Sequence, residues 1–111
     1  MTHPIDLHSH EVANLCRRFG ARRLDVFGSA ARGDFDPATS DLDFLVEFDD
    51  IPPAQYAEAF FSLKEGLERL FGRTVDLVTD SSLANPYLRS RIAAESRNLY
   101  ARLAALQFRD V

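Results

Sequence analysis

A chain of 111 residues has room for one hydrophobic core, and its 46% apolar and 27% charged residues are those of a globular domain with no apolar run long enough to span a membrane. A net charge of −4 argues against a general nucleic-acid coat protein, so no direct nucleic-acid partner is expected. The single Cys16 excludes an internal disulfide and fits a reducing cytoplasm, and Met1-Thr2-His3-Pro4 has no basic stretch leading into an apolar one, so no secretory signal is expected.

From Leu7 to Phe19, the residues Val12, Leu15, Cys16 and Phe19 recur at helical spacing, and Gly20 stands where a C-terminal cap belongs. Leu24-Asp25-Val26-Phe27 reads as a short strand ending at Gly28-Ser29, and a short helix follows. The second strand runs from Asp41 to Phe48. Its alternation turns Leu42, Phe44, Val46 and Phe48 toward the core and Asp41 and Asp43 to the other face. Pro52-Pro53 opens a helix in which Tyr56, Phe60, Leu63, Leu67 and Leu70 form one stripe, with Phe61 also assigned to the core, and Gly72 stops it. Thr74 to Thr79 is a third, β-branched strand. Pro86 begins a last helix reaching about Leu103, with Leu88, Ile92, Leu99 and Leu103 on its apolar side. The order predicts an α/β domain of the α+β type, a small mixed sheet of three strands covered by helices. It is one domain over residues 1–111 with its core at 8–103.

The chemistry concentrates in two segments, Gly28-Ser29-Ala30-Ala31-Arg32-Gly33-Asp34 and Ser40-Asp41-Leu42-Asp43. Asp41 and Asp43 are spaced i and i+2 on a strand, so both carboxylates point to one side, where their mutual repulsion calls for a cation. Hard oxygen donors suit Mg²⁺ or Mn²⁺. Asp76 interrupts the apolar run Val75-Leu77 of the third strand; if that strand lies beside the second, it faces the same cleft. Gly28 lets the backbone turn closely, and the Ser29 hydroxyl with the amides after it can hold phosphate oxygens. Arg32 either neutralises phosphate charge or anchors the loop through Asp34 or Asp36. His3, His8 and His10 lack the spacing of a metal site, and Cys16 on the apolar stripe reads as a core thiol.

Taken together, Gly28, Ser29, Asp41, Asp43 and Asp76 resemble the signature of the minimal nucleotidyltransferases of the DNA polymerase β superfamily: Gly-Ser, about ten residues, Asp-x-Asp, then a later strand aspartate. Arg32-Gly33, Ser40 and Asn85-Pro86-Tyr87 extend the likeness over residues 8–103. Here eleven residues separate Ser29 from Asp41, the extra one falling in the turn-rich Asp36-Pro37-Ala38-Thr39. The resemblance implies a polymerase-β-like fold with Mg²⁺, or Mn²⁺, on Asp41, Asp43 and Asp76. ATP would lie against Gly28, Ser29, Arg32 and Ser40, and Asp76 would assist deprotonation of the acceptor hydroxyl.

The same resemblance implies transfer of AMP from ATP to a protein hydroxyl, a tyrosine of a HEPN-domain toxin, with this chain as the cytoplasmic antitoxin of the pair. The alternative is an antitoxin that neutralises its partner by contact alone. A transferase for antibiotics or RNA fits less well, because 111 residues leave little room for a domain to hold such acceptors. A hetero-oligomer with the toxin, or a homodimer, is expected. Arg89, Arg91, Arg97, Arg102, Phe108 and Arg109 of the last helix and tail are the candidate interface.

Overall fold

In the computed structural model, which describes residues 8–28, 31 and 41–102, the first helix, α1 (Ser9–Phe19), is stopped by Gly20 in a left-handed conformation (φ 78°) whose N–H donates to the Cys16 carbonyl. The chain passes directly into β1 (Ala21–Phe27), three residues earlier than the apolar run Leu24–Phe27 suggests. Strand β2 (Leu42–Phe48) pairs antiparallel with β1. Helix α2 (Pro53–Phe71) then crosses over the sheet, capped by Gly72 at φ 67°, and returns the chain as β3 (Val75–Thr79), parallel to β2. A 3₁₀ turn (Asp80–Ala84) leads to α3 (Pro86–Ala94) and to β4 (Ser96–Ala101). The sheet order is β3-β2-β1-β4.

The fourth strand corrects the reading of one long final helix and a three-stranded sheet. Leu88, Ile92 and Leu99 do fall near helical spacing, but the helix ends at Ala94 and Glu95 leaves helical geometry at φ −141°, ψ 49°. Without β4 the main-chain groups along one edge of β1 would lack sheet partners, and pairing of Arg23 through Phe27 with Ala101 through Ser96 satisfies them. Sheet pairing here outweighs a weak helical preference. Leu99 and Tyr100 still reach the core, from a strand rather than a helix. Of the short helix expected after Gly28-Ser29, only Ala31 is described; it is helical, and its N–H donates to the Gly28 carbonyl at 3.1 Å.

Two clusters hold the sheet. On one face, Val12 and Cys16 of α1 and Leu63 and Leu67 of α2 pack on Leu24, Val26, Leu42, Phe44, Val46 and Val75, all nearly inaccessible. Burial pushes the Cys16 thiol up to about 12, which makes it an inert core group. Phe60 packs against this cluster, whereas Phe61 is 59% exposed and does not belong to the core. On the opposite face, α3 sets Ile92 on Phe27 and Leu45, with Val78, Leu83 and Leu88 at the margin. Strand alternation therefore turns Phe27, Asp43, Leu45 and Asp76 toward α3.

The entry to α3 is fixed by Asn85, whose side-chain oxygen accepts from the N–H of Tyr87 (2.9 Å) and of Leu88 (3.4 Å), with Pro86 in the first turn. Asn85→Ala is expected to lower stability by about 1 kcal/mol, read as a lower denaturant midpoint at unchanged slope. Among the described residues no helix is long and apolar enough to cross a membrane.

Candidate active site

The carboxylates are positioned by the parallel pairing of β2 and β3. Leu42 N–H donates to the Thr74 carbonyl (3.2 Å), and Val75 N–H donates to the Glu68 carboxylate of α2 (3.1 Å). These bonds fix where both strands begin, one residue before the site. Asp43 then stands opposite Asp76, and on its other side opposite Phe27, the last residue of β1. Asp41 lies two residues before Asp43, exposed, just ahead of the strand. Asp76 is also exposed, while the Asp43 side chain retains only 21% exposure.

Burial raises the Asp43 carboxyl above its ordinary range; the nearby Asp76 and Asp41 charges push the same way and the Arg91 guanidinium pulls it back. Gly28 closes the site from β1. It sits at φ 74°, and a Cβ placed on it would lie 2.6 Å from Asp43 Oδ2 and 3.5 Å from Arg91 Nη2. The carboxylate occupies space that only glycine leaves open. Arg91 reaches in from α3, with Nη2 3.9 Å from Asp43 Oδ2 and the guanidinium 5.5 Å from the centre of the Phe27 ring.

Of the residues singled out in the sequence, Gly28, Asp43 and Asp76 come together at one end of the sheet with Asp41 beside them. Ser29, Arg32 and Ser40 lie outside the described residues, as do His3, Phe108 and Arg109. His8 has its Nδ1 3.3 Å from Glu11 and its ring edge-on to Phe71. Among the described residues, no three His, Cys, Asp or Glu side chains already stand as a ligand set. Arg91, assigned from sequence to an interface, belongs to the site, and Arg102 pairs with Asp49. Sequence reasoning also passed over Asp25, a buried carboxylate that accepts from Asn98 Nδ2 (2.8 Å) and lies 3.2 Å from Arg23 Nε.

The fold sets a turn glycine beside a strand aspartate that faces a second strand aspartate, and so gathers at one end of the sheet the Gly28, Asp43 and Asp76 singled out from the sequence. The chain belongs to the nucleotidyltransferase domain family, whose model matches residues 12–99. A protein adenylyltransferase of Thermococcus cleftensis is 48% identical over 69 residues, 62% of this chain and 66% of its own length, just under two thirds. A candidate protein adenylyltransferase of Methanocaldococcus jannaschii is 37% identical over 75 residues, covering 68% of this chain and 73% of its own. Among solved structures, a candidate minimal nucleotidyltransferase superposes with TM-score 0.63 at 39% identity over 83% of this chain and 89% of that one. A chain of the Shewanella oneidensis complex between a tri-AMPylated HEPN toxin and its MNT antitoxin matches with TM-score 0.60 at 20% identity, over 94% of this chain and 78% of that one. That last likeness speaks for the fold.

Proposed function

We propose that this chain is a single-domain, Mg²⁺-dependent protein adenylyltransferase. In this reading it moves AMP from ATP to a tyrosine hydroxyl of a HEPN-type toxin and so acts in the cytoplasm as the toxin's antitoxin, in a complex with it. The observation that carries the reading is Asp43 opposite Asp76 on adjacent parallel strands, wedged against a glycine turn at the end of β1. The named relatives support the type of reaction, and the toxin–antitoxin complexes with the same fold support the kind of partner.

The residues fit a hard divalent cation. Asp43 and Asp76 supply facing oxygen donors, Asp41 is near enough to disfavour the Asp43 charge, and a cation among them removes that penalty. When bound, such an ion neutralises triphosphate charge and makes a coordinated hydroxyl more acidic. The remaining steps belong to the chain's own residues. The Gly28 turn, with Ser29, Arg32 and Ser40, holds the triphosphate so that the α-phosphorus faces the carboxylates. Asp76, exposed on the edge strand β3, takes the proton as the hydroxyl oxygen bonds to the α-phosphorus. The bond from that phosphorus to the pyrophosphate oxygen breaks in line, and pyrophosphate leaves.

The test combines the protein with ATP, Mg²⁺ and the purified product of the adjacent gene, and reads intact mass and the modified peptide. Addition of AMP to a tyrosine, absent with an Asp41→Ala/Asp43→Ala variant that remains folded, is the expected result. Equal transfer by the variant removes the catalytic assignment. Neutralisation of the toxin by both proteins without added mass means an antitoxin that works by contact.

A further inference from the structure

Arg91 has no part in the reaction as set out above, yet its guanidinium occupies the most contested point of the site. It is 3.9 Å from Asp43 Oδ2, and 3.5 Å from where a Cβ would stand on Gly28. It therefore lies beside both the carboxylate that would take a cation and the turn that would take phosphate. A guanidinium and a divalent cation repel each other, so the two cannot serve the same carboxylate oxygen without cost. The existing contact is also easily parted. At 3.9 Å it is a charge pair beyond hydrogen-bond length, and the Arg91 side chain is 43% exposed, with room to swing. Its position over the Phe27 ring gives it a pivot, because Phe27 is held fully buried beneath α3.

We infer that Arg91 is a resident counter-ion of the metal-free site, displaced from Asp43 by the incoming cation and transferred to the triphosphate at the Gly28 turn. This rests on the reading of the site as a cation- and nucleotide-binding centre. Cation alone has to expel Arg91 against its pairing with Asp43. Cation arriving with triphosphate gives Arg91 a stronger anion to turn to. The two ligands thus favour each other through one side chain, and the site loads metal more weakly without nucleotide than with it.

The test titrates Mn²⁺ into wild type, Arg91→Met and Arg91→Lys, without nucleotide, following the unbound Mn²⁺ by electron paramagnetic resonance. The titration is repeated with the α,β-methylene analogue of ATP. Methionine keeps an apolar stem on Phe27, and thermal melts confirm that each variant is folded. Arg91→Met is expected to bind Mn²⁺ alone about three- to fivefold more tightly, as loss of a half-exposed charge pair allows, and to bind the analogue roughly tenfold more weakly. Arg91→Lys, which keeps the charge, is expected to stay near wild type for Mn²⁺ alone. A merely structural arginine would give the opposite sign, since its loss would loosen Asp43 and weaken Mn²⁺ binding. Wild type that binds Mn²⁺ with an Arg91→Met variant that binds it no more tightly overturns the inference alone. Wild type and Arg91→Met that both bind no Mn²⁺ overturn the reading of the site and the inference with it.

Discussion

Asp43→Asn is expected to raise the melting temperature of the metal-free protein while lowering AMP transfer about a thousandfold, the scale on which loss of a metal-holding, charge-stabilising group is felt. Both effects come from one carboxylate. Burial holds the Asp43 pKa above its ordinary value, and the neighbouring Asp76 and Asp41 charges add to the shift. The folded state therefore keeps the Asp43 proton to higher pH than the unfolded chain does. Stability is full below the unfolded pKa of about 4, falls as pH rises through the raised folded value, and stays reduced at neutral pH. Asparagine keeps the shape, sheds the charge and recovers that loss. The gain should accordingly shrink to nothing below about pH 4, where Asp43 is protonated in both states. Addition of Mg²⁺ should narrow the gap from the other side, raising the melting temperature of wild type and leaving Asp43→Asn where it was. A variant no more stable than wild type at pH 7 would show that the site does not strain Asp43.

What could be read from the chain and what could not divides along the range of the interactions. The stops at Gly20 and Gly72, the stripe of α2 and the inward alternation of β2 are local, carried by residues within one or two turns of each other, and the structure has them within a few positions. Asp43 and Asp76 were legible because strand alternation needs only the next residue, and their juxtaposition needed only that β3 lie beside β2. β4 was not legible. Its residues Ser96–Ala101 carry no strong strand pattern, and what makes them a strand is the unpaired edge of β1, some seventy residues earlier in the chain. That error hid a second feature. Asn98 reaches Asp25 only because both lie on paired strands, so a helical reading of this segment leaves the buried carboxylate without a visible partner. Arg91 escaped for a related reason. No spacing links it to Asp43, and only the packing of Ile92 on Phe27 and Leu45 brings that part of α3 over the acid. Its place beside Ile92, on a helix lying over the carboxylate face, was the available signal. Phe61 is the converse case, an aromatic next to the buried stripe that the helix turns outward.

Gly28→Ala separates backbone strain from the loss of the site, because the fold supplies its own control. Gly28 and Gly72 share the left-handed region, at φ 74° and 67°, so an alanine at either should cost about 1–2 kcal/mol of stability through the Cβ alone. Their surroundings differ. A Cβ on Gly72 meets nothing within 4 Å, whereas one on Gly28 arrives 2.6 Å from Asp43 Oδ2 and 3.6 Å from its carboxyl carbon. That oxygen has to move by several tenths of an ångström or rotate, which changes its place relative to Asp76 across the ladder and to Arg91 above. Gly72→Ala is expected to melt lower and to transfer AMP at the wild-type rate. Gly28→Ala is expected to melt lower still and to lose transfer about a hundredfold, as a displaced reacting group does. If the two variants lost stability equally and kept activity equally, the Asp43 carboxylate would not need the space that glycine leaves it.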